Sequence, residues 1–189
     1  MIQIHSRNYT VEDVRNWLEE SDDQFSHRIV AQTDYRPYGQ TGKKESIYAW
    51  SSRVRNAVSK EVRHALNVFG KNLYPGRSNI IKRVPHVYRP ITVVTLEGAR
   101  LTSDKSKTVH ANITLGNLPI HFTNSDLKEM FFHAWCDVCG QGEFFLDAYN
   151  KNIGGWEKYI LKEGEKDPRL VREPDGIFDT NNLWLRNTK

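Results

Sequence analysis

The chain has 189 residues, 38% hydrophobic and 26% charged, which is enough apolar material for one packed domain and too much for a disordered or collagen-like chain. Its longest apolar runs are only a few residues, against the ~20 that cross a bilayer, and Met1 is not followed by a basic segment and an apolar stretch. Neither a membrane anchor nor a secretion signal is read, and no membrane partner is expected. Both cysteines lie in Cys136-Asp137-Val138-Cys139, which excludes a disulfide framework and points to an intracellular compartment. The net charge of +4, from 27 Lys and Arg against 23 Asp and Glu, is unevenly spread. From Lys43 to Arg83 there are ten basic residues and two acidic ones, a local +8 that suits a polyanion.

In chain order, Thr10 with Asp13 three residues on predicts a helix over 10–20, with Val11, Val14, Trp17 and Leu18 on one face. Arg28 to Thr33 reads as a strand closed by Asp34-Tyr35-Arg36-Pro37. From Ser46 a helical stripe runs through Ile47, Trp50, Val54, Ala57, Val58, Val62, Ala65, Leu66 and Phe69 and is expected to stop at Gly70. Tyr74 to Arg77 reads as loop. The unbroken run Ile91 to Glu97 reads as a buried central strand, joined by a polar turn to a second strand, Val109 to Leu115. In that second strand His110, Asn112 and Thr114 share one face and Val109, Ala111, Ile113 and Leu115 the other.

Thr123 or Asn124 can cap a helix bearing Leu127, Met130, Phe131, Ala134, Trp135 and Val138. A strand, Phe144 to Ala148, and a short helix, Trp156 to Lys162, follow. The tail 164–189 has no period, but Leu183, Trp184 and Leu185 suggest that it docks back on the body. The expected fold is α+β, one domain over 1–189 with a core at about 28–163: an antiparallel sheet of about five strands with helices packed mainly on one face. His133-x-x-Cys136-x-x-Cys139 would need a fourth ligand to hold zinc, and on a helix it reads as packing thiols.

Glu97 ends one strand, and His110 and Asn112 project from its expected partner. A carboxylate, an imidazole and a carboxamide oxygen make a hard mixed site that suits Mn²⁺ or Mg²⁺. Tyr159 and Lys162, three apart on a helix, can lean over one surface.

In this order, the stretches Thr92-Val93-Val94-Thr95-Leu96-Glu97, Val109-His110-Ala111-Asn112-Ile113 and Trp156-Glu157-Lys158-Tyr159-Ile160-Leu161-Lys162-Glu163 resemble the rolling-circle replication initiators, the Rep branch of the HUH endonucleases. Ile29-Val30-Ala31-Gln32-Thr33-Asp34 is similar, more loosely, to that family's first strand motif. The likeness spans roughly residues 28–163. The chain has no GxxxxGK[ST] segment for a fused motor, and Asn112 stands where the family has His or Gln. The resemblance implies a Mn²⁺- or Mg²⁺-dependent endonuclease and strand transferase of the single-tyrosine type. Tyr159 would be the nucleophile, Lys162 its assistant, and Glu97, His110 and Asn112 the cation ligands.

The implied substrate is single-stranded or hairpin origin DNA, nicked through a 5′-phosphotyrosine to start rolling-circle replication. Host helicase and polymerase would be partners, in a bacterial or archaeal cytoplasm or, for a eukaryotic virus, the nucleus. Arg36, Lys43, Lys44, Arg53, Arg55, Lys60 and Arg63 are candidate DNA contacts, with Tyr35, Tyr48, Trp50 and Tyr74 as aromatic rings on which unpaired bases could stack. Two alternatives are a degenerate relative that binds DNA without cutting it and a related transposase or relaxase.

Overall fold

A computed structural model describes residues 11–36, 44, 46–81, 83–98, 108–150, 155–156, 159–161 and 183–184. The candidates Lys43 and Lys162, the turn 102–107 and most of the tail lie outside them. Helix α1 (Val11–Glu20) is followed by a 3-10 turn and strand β1 (Phe25–Gln32). The strand starts earlier than its apolar pattern indicates, because Phe25 packs edge-on against Tyr149, with ring centroids 6.3 Å apart.

Helix α2 (Ile47–Leu73) begins where Ser46 Oγ accepts a hydrogen bond from the Ala49 N–H at 3.1 Å. It passes through Gly70, where the sequence predicts its end. A helical glycine costs about 1 kcal/mol. Phe69 and Leu73 are both buried, and burial of such side chains contributes about 1.5–3 kcal/mol each, so packing overrides the glycine. Two single turns, α3 (Ser78–Ile81) and α4 (Pro85–Tyr88), precede β2 (Ile91–Glu97). Asn117, whose φ is 53°, donates from Nδ2 to the Arg89 carbonyl at 2.8 Å, and Tyr74 donates its hydroxyl to the Asn117 carbonyl at 2.7 Å.

Strand β3 (His110–Gly116) leads to α5 (Asn124–Phe132), whose capping box pairs Thr123 and Asp126. The helix widens into a π-helical turn over His133–Val138 before β4 (Phe144–Ala148).

The fold is α+β with a four-stranded antiparallel sheet in the order β2-β3-β1-β4. Among the described residues the sheet has four strands, against an expectation of about five. What lies beyond β2 is a single antiparallel bridge, in which Thr92 and Trp184 exchange two N–H···O=C bonds of 2.9 Å. Trp184 therefore sits at the edge of β2, and Leu183 packs against the cluster that contains Val93 and Ile160.

One sheet face carries Ile29, Ala31, Val94, Leu96, Ala111, Ile113, Leu115 and Leu146 and packs under α2, α5 and the π-helical turn. Phe131 is the hub there, 5.7 Å from Phe69, 6.1 Å from Trp135 and 5.0 Å from Phe144 between ring centroids. The opposite face gathers Leu18, Val93, Trp156, Ile160 and Leu161 in a smaller cluster. Helices α2 and α5 and the π-helical turn thus lie on one face, and α1 and the Trp156 helix on the other. Among the described residues no helix is long and apolar enough to cross a membrane.

Candidate metal and nucleic-acid site

Pairing of β2 with β3 sets Glu97 opposite His110 and Thr95 opposite Asn112. Side chains alternate along a strand, so Glu97, His110 and Asn112 all project from the face away from α2. Glu97 is 1% exposed, and a buried carboxyl group needs a hydrogen-bonding partner. His110 provides one, its Nε2–H donating to Glu97 Oε2 at 2.8 Å. Gly98, with φ +93°, makes this approach possible: a Cβ there would sit 2.9 Å from Val109 Cα and 3.0 Å from the Thr108 carbonyl oxygen.

Asn112 is also 1% exposed, and its Nδ2 donates to Thr95 Oγ1 at 3.5 Å. Its Oδ1 has no hydrogen-bond partner among the described residues, although it is buried. A hard divalent cation fits this donor set of one carboxylate, one imidazole and one unsatisfied carboxamide oxygen. No group of three His, Cys, Asp or Glu side chains converges among the described residues, and the carboxamide oxygen of Asn112 is the further oxygen donor on this face. His110 Nδ1 lies 3.4 Å from the Thr108 carbonyl. A proton moved to Nδ1 would point at that acceptor and leave Nε2 as a donor atom for a cation.

The described part of the Trp156–Lys162 segment is helical, with the Tyr159 N–H bonded to the Gly155 carbonyl at 2.8 Å. Trp156 anchors it by donating Nε1–H to Thr114 Oγ1 at 2.8 Å. Thr114 is the next residue after Asn112 on the same face of β3. Tyr159 stacks on Trp156 with centroids 5.4 Å apart and planes 14° from parallel, and it is 38% exposed. The Arg28 guanidinium also sits over the Trp156 ring, 5.6 Å from its centre. The sheet thus carries the Tyr159 helix on the same face as Glu97, His110 and Asn112.

The basic candidates go elsewhere. Arg53, Lys60 and Arg63 are exposed along α2, on the face of the sheet away from Glu97. Arg36 and Lys44 are exposed as well. Arg55 is buried at 6% exposure, since it follows Val54 directly and precedes the inward Val58, Ser59 and Val62. Its place as a surface phosphate contact is therefore corrected. Of the aromatic candidates, Trp50 is in the core, Tyr74 is tied to Asn117 and Tyr35 to Glu61, while the Tyr48 side chain is outside the described set. Besides Tyr159, the site face carries the exposed ring of Phe145 of β4, which the strand pattern alone does not distinguish from Phe144.

Tyr35 donates its hydroxyl to Glu61 Oε1 at 2.9 Å and clamps the end of β1 to α2. Desolvation pushes the Glu61 carboxyl above its usual value; the Tyr35 hydrogen bond opposes this and Asp34 adds to it. A carboxyl group raised in the folded state contributes stability that is fully present below its unfolded value and lost as pH rises through the folded one. Glu61→Gln keeps the acceptor without the charge. It is expected to raise the thermal midpoint at pH 7 to 8, with the gain shrinking toward pH 4.5. Equal gains at both ends of that range would contradict the assignment.

The thiols are held by packing. Cys136 Sγ–H donates to the Gly142 carbonyl at 3.4 Å and Cys139 Sγ–H lies 3.8 Å from the Glu61 carbonyl. Burial, followed by Asp137 and Glu143, raises the Cys136 pKa, while burial and Glu61 raise that of Cys139. Both changes lower the thiolate fraction.

Comparison with family models, curated proteins and solved structures finds no significant match for this chain.

Proposed function

We propose that the protein nicks and rejoins single-stranded origin DNA by transesterification, as a replication initiator of the rolling-circle type. The observation that carries this reading is one sheet face bearing Glu97, His110 and the unsatisfied Asn112 Oδ1, with Tyr159 mounted on the same face. In the proposed step the Tyr159 oxygen attacks a backbone phosphorus, forming a P–O bond as the bond to the 3′-oxygen breaks. The phenolic proton passes to a base, and the departing 3′-oxygen takes up a proton to become a hydroxyl. Glu97, His110 and Asn112 would hold Mn²⁺ or Mg²⁺, and Lys162 would steady the phenolate or the phosphate. When bound, the cation supplies Lewis-acid polarisation of a non-bridging phosphate oxygen. One phosphodiester is exchanged for another, so rejoining needs no nucleotide.

The direct test is to incubate single-stranded and hairpin oligonucleotides with the protein and Mn²⁺ and to look for a covalent adduct stable to denaturation. Absence of adduct on every substrate would reject the reading. A metal titration tests the ligand set separately. Asn112→Ala is expected to lower Mn²⁺ affinity about tenfold, and Asn112→His to raise it. Affinity unchanged in both variants would remove Asn112 from the site.

A second reading, a DNA-binding regulator without cleavage, draws on the position of Arg53, Lys60 and Arg63 on the face away from Glu97. Binding that falls steeply with salt, is indifferent to Mn²⁺ and yields no adduct would favour it.

A further inference from the structure

We propose that Phe145 is a stacking platform for an unpaired nucleobase of the strand that enters the site, an inference that rests on the reading above for that strand's path. Phe145 is 54% exposed. Its cross-strand partner is Val30, whose partner on β3 is Asn112, whose partner on β2 is Thr95. One transverse row therefore runs from the buried carboxamide to the exposed ring, a span of two strand spacings or about 10 Å. Along the row, exposure rises from Thr95 and Asn112, both buried, through Val30 to Phe145.

The Trp156 helix packs over Val93 and Thr114, and Phe145 belongs to neither apolar cluster. Beyond Val30, which packs against the smaller apolar cluster, its neighbours on the same face of β1 and β4 are polar: Arg28 paired with Asp147 at 3.8 Å, and Gln32 in the row that contains His110.

The size of this apolar spot selects the occupant. A stable protein interface buries about 800 Å² per partner, whereas a whole phenylalanine side chain offers about 150–250 Å². One flat ring rimmed by polar groups matches one nucleobase, and every base has a π-face. Trp50, Tyr74 and Tyr35 are already engaged elsewhere, so among the aromatic residues described on this face Phe145 is more exposed than Tyr159.

The test is metal-free binding of a short oligothymidylate, with and without a single abasic position moved along it. Phe145→Ala is expected to weaken binding by roughly five- to a hundredfold, and Phe145→Tyr to restore it. For the wild type, the abasic site at one position should cost about the same factor, and that cost should vanish in Phe145→Ala. Unchanged binding by Phe145→Ala, an abasic penalty undiminished in it, no single-strand binding by the wild type, or a dimer that Phe145→Ala dissociates would each overturn the proposal. Adduct formation is scored separately. Adduct without Phe145-dependent binding defeats the platform and leaves the nicking reading standing, whereas Phe145-dependent binding without adduct does the reverse.

Discussion

Tyr159→Phe is expected to abolish covalent adduct formation, a loss of at least about 10⁴-fold in rate, because in the proposed step the hydroxyl is the nucleophile and a neighbouring group cannot replace it. The ring remains, so its stacking on Trp156 and the Trp156–Thr114 hydrogen bond are retained. Thermal stability and single-strand affinity should consequently stay close to wild type. This separates lost chemistry from lost folding. Denaturing gels of protein with labelled oligonucleotide and Mn²⁺ measure the adduct, and a persistent adduct in Tyr159→Phe would sink the assignment. The same gels with Glu97→Gln ask whether the carboxylate is required.

The largest stability effect is expected at Gly116. A Cβ on this residue would lie 1.8 Å from the Gln24 carbonyl oxygen and 2.9 Å from its carbon, both backbone atoms that cannot rotate aside. Gly116 pairs with Phe25 while Leu115 pairs with His27, so β1 carries an extra residue at Ser26 and brings Gln24 close to β3. Replacing glycine with alanine at a compatible site gains about 0.4–1 kcal/mol through the unfolded chain. The clash reverses that sign, and Gly116→Ala is expected to cost about 3 kcal/mol. For a chain of this size that lowers the thermal midpoint by roughly 6–12 °C. Urea unfolding gives the free energy directly, and wild-type stability in Gly116→Ala would contradict the Phe25–Gly116 pairing.

Gly116 also illustrates what local pattern conceals. The bounds of β2 and β4 follow from short runs rich in apolar residues, and the α2 stripe follows from a 3.6-residue period. Those signals are carried by neighbours in sequence. The start of β1 at Phe25, the passage of α2 through Gly70 and the inward Arg55 depend on partners far along the chain, and local propensity has no access to them. The π-helical turn at His133–Val138 likewise keeps the apolar spacing of an α-helix in sequence while its hydrogen bonds widen.

At the site, the order Glu97, His110, Asn112 and Tyr159 was enough to suggest a shared face, because a hairpin and strand alternation dictate most of it. The side of the sheet taken by the basic helix was not legible. Helical periodicity separates an inner from an outer face, but it does not say which surface of a sheet the inner face will cover. The exposed ring of Phe145 was hidden for a related reason: β4 is an edge strand, and its exposure follows from the strand order rather than from its own five residues.

That strand order has a kinetic consequence. Glu97 and His110 belong to one hairpin, and their contact closes a short loop. The row Thr95–Asn112–Val30–Phe145 needs β1 to insert between β3 and β4, which follow it by about 80 and 115 residues. The carboxyl–imidazole pair can therefore assemble early, whereas the transverse row is completed only when the central strand arrives. During synthesis that cannot happen before β4 has left the ribosome. Because Trp135 donates its Nε1–H to the Gln32 carbonyl of β1, oligonucleotide binding during refolding from denaturant should return no earlier than the burial of Trp135.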